Sequence, residues 1–213
     1  MPTNFPTSVD NFTNPTANDS LNLPSHSTQH ANANDAIEAV ESYLLNGGQG
    51  MTLVKKQVVG TAVSSVILTS AFSATYENYR VLYTGGVASS TNYIEVQMRV
   101  GSTTSTSSNY SSIMGSNYSG GSIGAAGSNN AASWPYVGYG YGAAFVILDM
   151  EIRQPFITKN TVFSSYASLV NQPIVGGGYH DQQVSYDQIV ITPQGGVTLT
   201  GGTIYVYGYG VGQ

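Results

Sequence analysis

The stretch Ile94-Glu95-Val96-Gln97-Met98-Arg99-Val100 decides the fold class, because apolar residues hold the even positions and polar residues the odd ones up to Arg99. Side chains of an extended strand point alternately to opposite faces of a sheet, so the pattern describes a strand with one face buried and the other in water. The same alternation returns where Val146, Leu148, Met150 and Ile152 interleave with Ile147, Asp149, Glu151 and Arg153. Residues 188–192 and 203–207 add segments of strand composition, 54–59, 63–69 and 79–84 are further candidates, and 162–167 is a weaker one. Glycine clusters at 85–86, 120–121, 176–178, 195–196 and 201–202 read as the turns between them. About seven to nine strands after residue 51, with no second helix, predict a mainly β domain, an antiparallel β-sandwich of jelly-roll-like kind.

Composition narrows the chemistry. Of 213 residues only 11 are acidic and 6 basic, 8% in all, against roughly 25% in an average soluble protein. The five acids of the first 50 residues (Asp10, Asp19, Asp35, Glu38, Glu41) stand without a Lys or Arg, while residues 51–213 are balanced. The formal charge of −5 therefore belongs to the N-terminal quarter, and such asymmetry divides the chain into residues 1–50 and 51–213. Six basic residues are too few for a nucleic-acid footprint. No apolar run approaches the ~18 to 20 residues of a membrane span, and the start lacks the regions of a signal peptide, so no membrane insertion is expected. The lack of cysteine excludes disulfide scaffolds and thiol chemistry.

Residues 2–34 read as an extended arm: Pro2, Pro6, Pro15 and Pro24 stand among Asn, Thr and Ser, with apolar residues at no regular period. Phe5, Val9, Asp10, Phe12, Pro24, His26 and His30 are its candidate docking residues. One short helix is expected over about 35–45, with Asn34 or Asp35 as N-cap, Glu38 completing a capping box and Asn46-Gly47-Gly48 ending it. Its apolar stripe, Ile37, Val40 and Leu44, needs a partner, since a helix of ~11 residues is marginal alone. The same helix of another chain is the natural partner, which predicts a homo-oligomer.

The residues 6–15, then Asp19-Ser20-Leu21, then Pro24-Ser25-His26-Ser27-Thr28-Gln29-His30, then Asn34-Asp35-Ala36-Ile37-Glu38-Ala39-Val40-Glu41 resemble the virion-attachment arm of tail-fibre-like and other structural proteins of tailed bacteriophages. Residues 71–79 and 199–209 resemble more loosely the small Gly/Ser/Tyr-rich β-sandwich modules that such proteins carry. The resemblance implies a virion structural protein, commonly trimeric, whose arm docks on other virion proteins and whose sandwich faces outward. A short tail fibre or receptor-binding component leads slightly as the expectation, although the chain lacks the long repetitive shaft of many fibres, a departure that weighs against the tail-fibre assignment and leaves the virion structural role intact. A head fibre or capsid decoration protein is the alternative, and a carbohydrate-active enzyme or free carbohydrate-binding module is the competing class.

Candidate chemistry is sparse. His26 and His30 have the i, i+4 spacing of a metal pair with Asp35 as a possible third ligand, but Pro24 opposes a helix there and two His are incomplete, so no metal or other cofactor is expected. Asp149 and Glu151 share a strand face, with Arg153 continuing it, and read as a solvated charged face or a subunit contact rather than a glycosidase pair. His180-Asp181 lacks a nucleophile elbow and the 176–178 glycines lack a phosphate-loop context. No enzymatic activity is expected. Trp134, Tyr136, Tyr139 and Tyr141, with Tyr205, Tyr207 and Tyr209, are the candidate surface for a host glycan or a neighbouring subunit. The Ser/Thr/Asn-rich residues 102–118 are the expected exposed loop.

Overall fold

A computed structural model describes residues 20, 25–45, 50–117, 123–169 and 172–211, and the chain divides into two units, Met1–Gly50 and Met51–Gln213. In the first unit helix α1, the single helix among the described residues, runs from His26 to Leu45, twenty residues. It begins well before Asp35, so Asn34 and Asp35 lie inside it and neither is the cap. Pro24 precedes the helix in sequence and removes no helical N–H bond, which is why it does not hold the start back. The first bond runs from the Gln29 N–H to the Ser25 carbonyl at 3.0 Å. Four alanines between 31 and 39 then carry the helix through the polar stretch. Ile37, Val40 and Leu44 are 57, 41 and 43% exposed. The docking candidates Phe5, Val9, Asp10, Phe12 and Pro24, and the expected stop at 46–48, lie outside the described residues.

The second unit is mainly β. Its strands are β1 (Thr52–Val58), β2 (Val66–Leu68), β3 (Tyr76–Thr84), β4 (Val87–Ala88), β5 (Asn92–Val100), β6 (Thr103–Thr104), β7 (Tyr110–Asn117) and β8 (Ile123–Ala131). They continue as β9 (Trp134–Tyr141), β10 (Phe145–Arg153), β11 (Thr161–Leu169), β12 (Gln172–His180), β13 (Gln188–Pro193), β14 (Leu199–Thr200) and β15 (Thr203–Val211). The described pairings are antiparallel. One run of strands has the order β1-β15-β3-β10-β11-β12-β7-β8, and a second has β2-β13-β5-β9 with β6 beside β5. They join at β10, whose residues 145–147 pair with β9 while residues 148–153 pair with β3 and 149–153 with β11. Strands β14 and β4 form a separate pair.

Inward residues of both runs enter one cluster: Val81 and Tyr83 of β3, Met150 and Ile152 of β10 and Ile204 of β15 meet Ile94, Val96 and Met98 of β5 and Ile189 and Ile191 of β13. Each such side chain contributes about 1.5–3 kcal/mol by leaving water, and the shared cluster is what a β-sandwich requires.

Two expectations are corrected. The glycines at 176–178 do not form a turn: they sit in the middle of β12, where Gly176 opposes Ser165, and Gly178 opposes Phe163 on one side and Ser112 on the other. A side chain at Gly178 would place its Cβ 2.2 Å from the Ser111 carbonyl oxygen, so glycine there serves close strand packing. Residues 102–118 are not one exposed loop: they contain β6 and β7, and Tyr110 is fully buried with its hydroxyl accepting the Met98 N–H at 2.8 Å. The polar composition misleads because the Ser and Thr residues are offset by apolar ones, Ile113 and Met114, within a paired strand.

Candidate functional site

Strand β10 builds the site. Its alternation buries Val146, Leu148, Met150 and Ile152 and turns Asp149, Glu151 and Arg153 to the outer face. Register brings Arg80 of β3 beside Glu151, and Tyr207 of β15 beside Arg80. On the other side Ser164 and Tyr166 of β11 oppose Glu151 and Asp149.

The Arg80 guanidinium forks across to Asp149, Nε to Oδ1 at 2.9 Å and Nη2 to Oδ2 at 2.6 Å. That charge-assisted pair raises the Arg80 pKa further, against an opposing effect of burial. Arg153 Nη2 stands 3.3 Å from Glu151 Oε2, and the Tyr209 hydroxyl donates to Glu151 Oε1. Burial first, then the hydrogen bond and charge of Glu151, push the Tyr209 phenol up to about 12. Both carboxylates are therefore held by partners in an open groove of about 550 Å³ with Ser164 and Tyr166 on its wall. Fixed carboxylate acceptors, an Arg donor, a hydroxyl and a half-exposed tyrosine ring suit hydrogen bonding and stacking with an uncharged polyhydroxylic ligand.

Apolar side chains spread over the same face. Val162 and Tyr166 of β11, Val175 and Tyr179 of β12 and Ile113 of β7 are 40, 50, 59, 44 and 64% exposed. Tyr205, Tyr207 and Tyr209 lie on this face at the β15 side, partly buried between alternating core positions. Tyr205 and Tyr207 stack at 6.3 Å, and Lys56 Nζ sits 5.9 Å from the centroid of the Tyr205 ring. The C-terminal tyrosines and the Asp149–Glu151–Arg153 run are thus brought together on one face.

Trp134 is not part of any surface. It is fully buried at the start of β9, packed on Phe163 at 4.7 Å and edge-on to Tyr110 at 5.2 Å. Its indole N–H donates to the Tyr179 carbonyl at 3.0 Å, so the ring enters the core without leaving a polar group unpaired. Tyr136 and Tyr139 are half-buried, each edge-on to Tyr93 at 5.2 Å. Tyr141 alone of this stretch is exposed, stacked on Phe145 at 5.6 Å. The stretch lies outside the strands expected from sequence, and β9 carries these aromatics.

His180 is buried beneath a stack with Tyr110, centroids 4.1 Å apart. Its Nδ1 lies 3.2 Å from the Asn109 carbonyl and its Nε2 2.8 Å from the Tyr186 hydroxyl. Burial lowers its pKa, with the Asn109 bond and Asp181 acting the other way. In α1, His26 and His30 place their Nε2 atoms 3.0 Å apart. Among the described residues no group of three or more His, Cys, Asp or Glu could hold a metal, and no described helix is long and apolar enough to cross a membrane.

Arg80, Ser164 and Tyr166 are site residues that sequence reading missed. Alternation along 79–84 does put Arg80 outward, but its partner Asp149 lies 69 residues away and nothing local announces the pairing. No family model matches the chain, and no curated protein or solved structure matches it either.

Proposed function

We propose that the chain is a structural protein of a tailed-bacteriophage virion, a short tail fibre or receptor-binding component that docks through residues 1–50 and presents residues 51–213 outward. It works by binding, not catalysis. The observation that carries this reading is the division of the chain: an acidic unit with the residue pattern of an attachment arm precedes a separate, charge-balanced β unit.

The helix supports self-association. His26, His30, Ala33, Ile37, Val40 and Leu44 are exposed and alternate in steps of four and three, the seam spacing of a coiled coil. A homotrimer joined there would display three copies of the outer-face groove, and weak contacts with a host surface glycan would add as avidity. The face bearing Arg80, Asp149, Glu151, Tyr166 and Tyr209 is the proposed contact surface.

Immunogold labelling of particles with antibody against residues 51–213 tests the assignment. Label at the tail is expected, and it should vanish from particles assembled with a chain lacking residues 1–50. Label on the head would replace the tail role with that of a head fibre or capsid decoration. Particles free of the protein would overturn the reading.

A further inference from the structure

On α1 a spacing of four residues sets His26 and His30 one above the other on the same side of the helix. Both side chains are exposed, their ring planes lie at 83°, and their Nε2 atoms are 3.0 Å apart. One proton suffices to hold that contact: one ring is the Nε2–H tautomer and the other Nε2 accepts. We propose that the pair is a bidentate chelate for a divalent transition metal that favours right-angled nitrogen ligands, Cu²⁺ or Ni²⁺.

The bite fits such an ion. With metal–imidazole bonds of about 2.0–2.1 Å, nitrogens at the observed separation subtend roughly 91–97° at the metal. That is the angle between neighbouring ligands in tetragonal or octahedral coordination, the preference of Cu²⁺ and Ni²⁺. A tetrahedral ion such as Zn²⁺ would need the nitrogens about 3.3 Å apart. On binding, the donor ring carries its proton on Nδ1 instead of Nε2, and the two exposed rings turn their Nε2 lone pairs from each other to the ion. The helix sets the two rings one turn apart beforehand, which spares part of the ordering cost. Asp35 is not a third ligand, because nine residues beyond His26 place it half a turn around the helix. The N-terminal end of the helix dipole works against a cation, lowering affinity by about two- to fivefold.

The pair lies on the stripe that continues through Ala33, Ile37, Val40 and Leu44. Open coordination positions are filled by water or, if the copies join along that stripe as proposed above, by their imidazoles; three bidentate pairs complete an octahedron.

Calorimetric titration of the full chain with NiCl₂ and CuCl₂ tests the chelate. His26→Gln and His30→Gln, both at exposed helical positions, should each weaken binding at least tenfold, while His180→Gln leaves it unchanged. Electron paramagnetic resonance of the Cu²⁺ form should show at least two nitrogen ligands. One ion per chain or one per three chains both support the chelate, and light scattering reports separately whether the helix self-associates, so a monomer would not sink it. Absence of binding at millimolar metal, or binding untouched by either variant, overturns the proposal.

Discussion

Three consecutive glycines on β12 give the sharpest check on the fold, because neighbouring positions should respond in opposite directions. Position 178 faces inward, in phase with Ile174, Gly176 and His180. An alanine there would set its Cβ 2.2 Å from the Ser111 carbonyl oxygen, 2.7 Å from Phe163 Cε1 and 2.9 Å from Ser112 Cα. Two of those atoms are backbone of the neighbouring strand β7, which cannot rotate away. Relief requires the strands to part by about 1 Å from a normal spacing near 4.8 Å, with loss of local ladder bonds. Overpacking of about 1–3 kcal/mol and one lost hydrogen bond of about 0.5–1.5 kcal/mol put the cost of Gly178→Ala near 3 kcal/mol. For a domain of this size that lowers Tm by about 6–12 °C.

Gly177 faces outward, and its added Cβ would meet only the Phe163 carbonyl oxygen at 3.5 Å, an ordinary contact. Gly177→Ala should therefore be neutral or stabilising by about 0.4–1 kcal/mol, since the unfolded chain loses freedom. Gly176→Ala falls between the two, because its nearest neighbour at 2.6 Å is the Ser165 hydroxyl, which can turn. Thermal unfolding of the three variants, followed by circular dichroism, reads the order directly. Equal effects at 177 and 178, or no loss at 178, would refute the strand placement and restore a turn.

Two further outcomes follow from the buried rings. Trp134, the chain's single tryptophan, should give blue-shifted emission resistant to acrylamide, and Trp134→Ala should cost about 3–5 kcal/mol in chemical denaturation; readily quenched emission would contradict its place in the core. The lowered pKa of His180 means that below about pH 6.5 the unfolded chain takes up a proton that the folded one refuses, so this contribution is full above that pH and is lost as the pH falls. Unfolding curves between pH 8 and 4.5 should show His180→Gln with a shallower acid loss than the parent, and parallel curves would remove His180 from the account.

How much of this was legible beforehand depends on the range of the signal. Alternation is local, so Ile94 to Val100 and Val146 to Arg153 announce strands and their buried faces without knowledge of the partner. The glycines of β12 and the serines of β7 carry no such signature, because what they do is accommodate a neighbour: Gly178 is explained by Ser111 and Phe163, far away in sequence. Trp134 failed for the same reason. Next to Gly138, Gly140 and Gly142 it reads as a surface-contact aromatic, and only the Tyr179 carbonyl, 45 residues on, provides for its indole N–H inside the core. The start of α1 failed differently. Pro24 and the Ser-Thr neighbours argue against helix by propensity, yet a proline ahead of the first turn sacrifices nothing, and the alanines beyond outweigh the Asn residues among them.

The candidate site shows where the low charge matters. Arg80 and Asp149, and Arg153 and Glu151, stand together on the outer face, so four of the twelve charged residues in 51–213 neutralise one another at one place. Such half-exposed pairs add little stability, about 0–1 kcal/mol each. Their effect lies in orientation: each carboxylate is held by a donor on its own sheet while an open groove passes over it. A charged ligand would have to break these pairs before gaining anything, whereas sugar hydroxyls can add to them as further donors and acceptors. With no net field on the β unit, encounter gains nothing from long-range steering, and in the proposed trimer recognition would fall to short contacts repeated across copies. Self-association through α1 would serve the proposed binding role by letting the contacts of several open grooves add.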